Sequence, residues 1–347
     1  MNKKLLALAI AAALAPAAAM ADSGNVAIYG SVHMSVDSLS DGSNREMNIS
    51  SNSSYIGFKG NEDLGNGLKA IWQMEGLVGM GETGASNGSS GANYLTSRNS
   101  YIGLSGGFGT TLLGKHDTPL KIVGRKADLF GDQIGDSRNL IATGGIGDLR
   151  PDNVIAYISP TVSGFHGAIA YVTNNDVTAT EANSTKAVSA LGMYESGPVM
   201  VALAYEKHNV NATSADPKEW RLVGGYNFGD VKLVALYQRS DDLNAVDGAD
   251  RKVWGLGAAY KMGATTIKGQ YYKAGELNGG STTDANMFAL GVDYSLSKRT
   301  TAYAAYAKTS NDDTASFSAF GGGHGDQPAV VVGQNPSAIS LGLKHSF

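Results

Sequence analysis

The sequence predicts an all-β fold: a transmembrane antiparallel β-barrel of about sixteen strands. Three observations point there. Gly accounts for 46 of 347 residues, apolar residues seldom recur at the helical spacing of three and four, and short runs of Val, Ile, Thr and Tyr are broken by Gly, Asn, Asp and Ser. The connections between runs alternate in length. Those in NFGDVKL, ESGPVM and KMGATT are tight turns, whereas SDDLNAVDGAD, AGELNGGSTTDA, HNVNATSADPKE and TNNDVTATEANST are long and polar. In an up-and-down meander odd and even connections lie at opposite rims, so this alternation means one trimmed rim and one elaborated rim. Several runs also keep a period of two, the pattern of a strand with two different faces.

The N-terminus reads as an export leader. Lys3 and Lys4 precede an apolar run from Leu5, and Ala19-Met20-Ala21 supplies a small-x-small cleavage site. Pro16 breaks the run, which is shorter than the roughly 20 residues a spanning helix needs. Residues 1–21 are therefore a signal peptide and 22–347 one continuous barrel domain, with no Pro-rich or Ser-rich linker inside it. Cleavage removes two lysines and shifts the net charge from −4 to −6. An acidic chain gives no reason to expect nucleic acid as a partner. With no Cys at all, disulfides and thiolate metal or redox sites are excluded.

The strands are expected to begin near Val26, Ser54, Leu68, Leu95, Thr110, Asn153, Phe165, Lys186, Val199, Glu219, Val231, Arg251, Ala264, Ala285, Arg299 and Ser337. About 20 residues per strand and connection leaves room for the 9 to 11 that a tilted strand needs to cross a bilayer. In MFALGVDY, Phe288, Leu290, Val292 and Tyr294 share one face and Met287, Ala289, Gly291 and Asp293 the other. In PVMVALAYEK, Val199, Val201, Leu203 and Tyr205 oppose Met200, Ala202, Ala204 and Glu206. KAVSALGMYE alternates too poorly to assign faces, as expected where a lumen tolerates many residue types. Tyr194, Tyr226, Tyr260 and Tyr294 sit where strands meet turns, suited to the water boundary of a membrane. The last strand, SAISLGLKHSF, puts Ile339, Leu341, Leu343, His345 and Phe347 on one face. Its pairing with the first strand, Phe347 marking the closing terminus, would remove both sheet edges.

These residues resemble the Gram-negative general porins of the β-proteobacterial and neisserial type over essentially the whole mature length. VAIYGSVHMSVD looks like their first strand, SSYIGFKGNEDLGNGLKAIWQMEG their second and third, SRNSYIGLSGGFGTTLLGKHDTP their fourth and fifth, RPDNVIAYISPTVSGFHG their sixth and seventh, and LGLKHSF their last. The resemblance implies a sixteen-stranded barrel with an infolded third outer loop, a homotrimer in contact with outer-membrane lipid and lipopolysaccharide. It also implies a water-filled channel for passive diffusion of ions and small hydrophilic solutes, with no cofactor and no catalysis.

The segment from Asp117 to Asn139 occupies the place of that loop. At this length a connection is usually functional or disordered, and Ile122, Val123, Leu129, Phe130 and Ile134 give it something to pack with. Its candidate constriction residues are Asp117, Lys121, Arg125, Asp128, Asp132 and Asp136. Spaced by four, Asp128, Asp132 and Asp136 would line one face of a short helical stretch, facing cations across the bore. Lys59, Lys69, Arg98, Lys115 and Arg150 are the candidates for that basic wall, and the resemblance carries over best to Arg98 and Arg150. Tyr55 stands where relatives commonly have Arg, which weakens the wall and leaves ion preference open.

Other motifs carry less. GTTLLGK, Gly109 to Lys115, fits the start of a phosphate-binding loop, but His116 stands where Ser or Thr should hold magnesium and Pro119 where a helix should open. GASNG and GLSGG fit a serine elbow only literally. The six His have no paired metal spacing, and Asp241-Asp242 reads as a solvated loop tip. A substrate-specific channel, a barrel enzyme and an exported adhesin are the rival readings.

Overall fold

The computed structural model describes residues 26–80, 94–142, 146–173, 184–210, 215–278 and 280–347. The expected leader, the GASNG stretch and part of TNNDVTATEANST lie outside the described residues. Among those residues the chain forms seventeen strand segments. They are β1 (Val26–Ser40), β2 (Arg45–Ser51), β3 (Tyr55–Gly65), β4 (Leu68–Leu77), β5 (Ser100–Gly106), β6 (Gly109–Lys115), β7 (Val154–Ile158), β8 (Phe165–Val172) and β9 (Ser184–Ser196). After them come β10 (Val199–Val210), β11 (Lys218–Phe228), β12 (Val231–Asp241), β13 (Arg251–Met262), β14 (Thr265–Ala274), β15 (Ala285–Ser295), β16 (Thr300–Asn311) and β17 (Ser337–Ser346).

Both β2 and β3 pair with β1, β2 through Met34↔Ser51 to Ser40↔Arg45 and β3 through Val26↔Gly60 to Ser31↔Tyr55. They are one stave of the barrel, interrupted at Asn52–Ser54, where Ser53 adopts φ 51° and the Asn52 N–H donates to His33 O. From β3 onward each strand pairs antiparallel with the next, and β17 pairs back with β1. The result is a closed antiparallel barrel of sixteen staves.

Most strand starts fall at the expected residue or within two of it. The second stave differs: pairing begins at Arg45, because REMNISS alternates with Met47 and Ile49 outward although its composition looks like a loop. Leu95 also differs, lying in a short 3-10 turn before β5. There Ser97 Oγ and Ser100 Oγ accept the N–H groups of Leu77 and Glu75, so side chains replace the ladder and delay the strand.

Alternation sets which side chains meet lipid. On β15, Leu290 is 58% exposed while Met287 and Ala289 are at 0%; on β17, Leu341 is 60% exposed beside Ser340 at 0%. In water such an outer surface would be an aggregation hazard; in hydrocarbon it is the stable arrangement. Tyr226, Tyr260 and Tyr294 are exposed near the trimmed rim, and Tyr194 rests on Phe165 with ring centroids 4.5 Å apart.

The seam is closed by a reciprocal pair: Gly30 N–H donates to Phe347 O and Phe347 N–H to Gly30 O, each at 3.1 Å. Gly30 is required there. A Cβ would stand 2.5 Å from Tyr55 O and 2.6 Å from Phe347 Cζ. Overpacking of this kind costs about 1–3 kcal/mol, so Gly30→Val should lower the stability obtained from urea refolding into bilayers by that amount, with a lower midpoint. An unchanged midpoint would mean that the seam tolerates the extra atoms.

Candidate functional site

The connection from β6 to β7 is the longest between described strands, and its fold starts with local chemistry. Thr118 caps a helix over Pro119–Ala127, its Oγ1 accepting the Lys121 N–H at 3.3 Å, and Pro119 stands in the first turn, where a missing N–H costs nothing. A helix therefore does open at Pro119. GTTLLGK before it is β6, paired along its length with β5 and β7, not a phosphate-cradling loop. The helix ends at Ala127, and this corrects the expectation that Asp128, Asp132 and Asp136 share a helical face. Asp128 Oδ1 accepts the Phe130 N–H at 2.9 Å, and Asp132 and Gly135 take φ of 62° and 76°. Those left-handed turns send Asp128 to the wall and bring Asp132 and Asp136 together on Arg125 and Arg138.

The segment leans on inward-facing side chains of β9 to β16. Leu120, Val123, Ala127, Leu140 and Ile141 pack with Ala202, Ala204, Val223, Val234 and Met287, and Phe130 and Ile134 with Ala289, Ala305 and Ala307. Four wall side chains also donate to loop carbonyls: Arg221 to Leu120 O at 3.1 Å, Tyr272 to Ala127 O at 3.2 Å, Gln270 to Gly135 O at 2.7 Å and Gln238 to Ile141 O at 2.9 Å. Ala127, Gly135 and Ile141, at helix ends or in irregular backbone, would otherwise leave their carbonyls orphaned. Arg221 is fully buried and also pairs with Glu219 at 2.8 Å and Asp148 at 3.2 Å. A Cβ on Gly124 would fall 2.2 Å from its Nη1, so the helix can press this close only as glycine.

The candidate residues divide. Asp117 forms ion pairs with Lys121 at 3.0 Å and Arg150 at 2.9 Å. Asp132 is gripped by Arg125 at 3.0 Å and Arg138 at 2.7 Å. Asp136, completely buried, receives five donors from Arg125, Arg138 and the Asp132 N–H. Arg98 pairs with Glu75 and lies over the Tyr55 ring, 4.6 Å from its centroid, so the aromatic residue supports a cation.

Four candidates stand elsewhere. Asp128 accepts from Gln270 on the wall at 3.1 Å, and Lys115 pairs with Asp152 at 3.1 Å. Lys59 covers the Tyr29 ring at 4.8 Å. Lys69 is exposed just after the tight β3–β4 turn, at the trimmed rim. An acidic strip facing a basic wall is therefore not what forms: three of the loop's own cations neutralise its carboxylates.

Arg98, Lys121, Arg125, Arg138 and Arg150 converge with Asp117 and Asp132 on a cavity of about 400 Å³, completed by Ser53, Leu77, Gly323 and Gln327. Five cations and two carboxylates line it, while Glu75 and Asp136 sit behind the cations. Arg138, Arg221 and Glu75 were absent from the sequence candidates. Arg138 was within reach, since it follows Asp136 by two in the same charged stretch, but no local signal marks a wall residue such as Arg221.

Burial would raise the Asp132 carboxyl, but Arg125 and Arg138 outweigh it and hold the group down at about 2. Asp117 is likewise held below the carboxylate range, by Lys121 and Arg150 against its burial.

A closed transmembrane β-barrel with a charged segment braced on its inner wall is the class of protein that forms passive channels through outer membranes. The family model described as Gram-negative porin matches residues 7–314. Over 367 aligned residues, covering 100% of both chains, the chain is 31% identical to outer membrane porin protein 32 of Delftia acidovorans. It is 32% identical to the major outer membrane protein P.IB of Neisseria lactamica, over 70% of this chain and 72% of that one. The solved anion-selective porin from Comamonas acidovorans superposes with a TM-score of 0.79 at 26% identity, covering 93% of this chain and 99% of that one. The chain belongs to the Gram-negative porin family. It is an outer-membrane porin, a passive diffusion channel.

Two measurements check the site. Arg221→Met would strand Glu219 and Asp148 as buried charges, a change that typically costs 3–5 kcal/mol. The urea midpoint should fall accordingly and single-channel traces become noisy as the loop loosens. For pH, carboxylates with depressed folded values stabilise the loop above their unfolded value of about 3.9 and lose that contribution as pH falls through about 2. Conductance should change steeply between about pH 4 and 2 as these carboxylates take up protons; a flat profile across that window would show that the loop does not depend on them.

Proposed function

We propose that this porin passes ions and small hydrophilic solutes with a preference for anions, that the Asp117–Asn139 segment narrows its bore, and that it works as a homotrimer in outer-membrane lipid and lipopolysaccharide. It performs no chemistry on what it passes. One observation carries the anion preference: the cavity is lined by five cationic side chains and two carboxylates. Over the whole group, Glu75 and Asp136 reduce the excess to one positive charge. They stand on the far side of the cations, however, so a solute in the cavity meets guanidinium and ammonium groups first. In a partly desolvated passage such a near field is stronger than in bulk water. Guanidinium groups also present donors in a fork that suits carboxylate and phosphate. The likeness to a porin named as anion-selective points the same way. The trimer rests on the family resemblance.

The test is the reversal potential of purified protein in planar bilayers under a KCl gradient. Wild type should give the sign of chloride preference. Replacing Arg98, Lys121 and Arg150 together by Gln should reduce the anion-to-cation permeability ratio several-fold. A cation-signed potential in wild type would overturn the preference, and an unchanged ratio in the triple variant would detach it from these residues.

A further inference from the structure

The last long connection, between β16 and β17, closes over the same cavity. Ala319 and Phe320 are completely buried in a cluster with Phe130 and Ile134. Ala319 O accepts the Gly135 N–H at 2.7 Å, and the Gly321 N–H donates to Asn139 Oδ1 at 2.7 Å. Gly322 and Gly323 lie so close to the arginine–aspartate cluster that a Cβ would stand 2.8 Å from Asp136 Oδ1 and 2.6 Å from Asp132 Oδ1. Gly323 and Gln327 then form part of the cavity lining. On the other side the connection is tied to the second stave, by Ser53 Oγ to Gly323 O and by the Gly325 N–H to Asn52 Oδ1, both 2.9 Å.

At the centre of these ties is His324, with no exposed surface. Its Nε2 lies 3.1 Å from Asp37 Oδ2 on β1 and its Nδ1 2.9 Å from the Asp326 carbonyl oxygen. A carbonyl can only accept. Asp37 Oδ2 already accepts from Ser35 Oγ at 2.8 Å, the role of a carboxylate. Facing an ionised Asp37 and a carbonyl, the two ring nitrogens are both satisfied only as donors, and a histidine donates from both only as imidazolium.

The surrounding charges form a small set. Besides Asp37, β1 brings His33, β16 brings Tyr303, whose hydroxyl bonds His33 at 3.0 Å, and β17 brings Lys344. The β6–β7 connection brings Asp132, Asp136 and Arg138. Asp326 in the connection itself accepts from Ser50 Oγ at 3.2 Å. Among the described residues, the hydrogen-bond partners of the imidazole are Asp37 and the Asp326 carbonyl.

We propose that His324 is a proton-held latch, whose imidazolium keeps the last connection folded over the cavity and whose deprotonation releases it. Without the second ring proton one nitrogen lone pair faces an acceptor, and Asp37 is left as a buried carboxylate without its cation. The connection then swings away, the cavity loses Gly323 and Gln327, and the bore widens. Histidine is the side chain whose charge changes in the physiological pH range, so the latch couples external pH to channel width. This inference is independent of the anion preference.

The chain has no Cys, so a single thiol placed by Ala319→Cys reports opening. The full-length protein is reconstituted in liposomes and labelled with a membrane-impermeant maleimide, with rates normalised to a free thiol at each pH. Labelling is expected to be slow at about pH 5 and about tenfold faster at about pH 9, with single-channel conductance rising in parallel. Adding His324→Gln should give the fast rate and the larger conductance at both pH values. If that variant fails to insert, Asp37→Asn, which removes the partner instead, is read the same way. A pH-independent normalised rate in the parent, or a surviving pH step after either replacement, would overturn the latch.

Discussion

A peptide group taken out of water has to find a hydrogen-bonding partner, and this constraint shapes both parts of the molecule. In the wall it is met by closure. Every stave has two neighbours, and the last exchanges N–H and C=O with the first at Gly30 and Phe347, so the sheet closes on itself. Inside the barrel the β6–β7 connection has no ladder to join, and wall side chains stand in for one. Arg221, Gln238, Gln270 and Tyr272 each donate to a loop carbonyl. A segment held this way is fixed against the wall.

The same economy explains the inward faces. Where the loop rests, the wall offers Ala202, Ala204, Ala289, Ala305 and Ala307, small enough to admit Leu120, Val123 and Phe130. Where nothing rests on it, the wall presents charge and aromatic surface. Glu75 accepts from the Tyr29 hydroxyl and pairs with Arg98. Apolar filling and charged lining thus divide the interior, and the cavity lies at their boundary.

Electrostatics then works through layering. Asp136, which holds the architecture, is buried behind Arg125 and Arg138 and receives five donors, whereas those two arginines border the cavity. Buried charges of this kind are costly unless paired, and pairing leaves the outermost member of each pair to meet the solute. Two connections distant in sequence share one such cluster, since Gly322 and Gly323 press against Asp136 and Asp132.

The sequence by itself determined the wall. A two-residue period and alternating turn lengths are local properties, so strand count, faces and rims were legible from runs such as MFALGVDY, as was a special role for the stretch after Asp117. It misled where side chains replace the ladder, at Leu95 and at the polar Arg45–Ser51, and where left-handed turns at Asp132 and Gly135 undo a four-residue spacing. Tertiary structure alone decided which charges meet. Arg138 rather than Lys69, Arg221 from a strand about a hundred residues away, and His324 beneath β1 come together only because the sheet rolls shut. Spacing along a chain carries no information about residues brought opposite one another by closure.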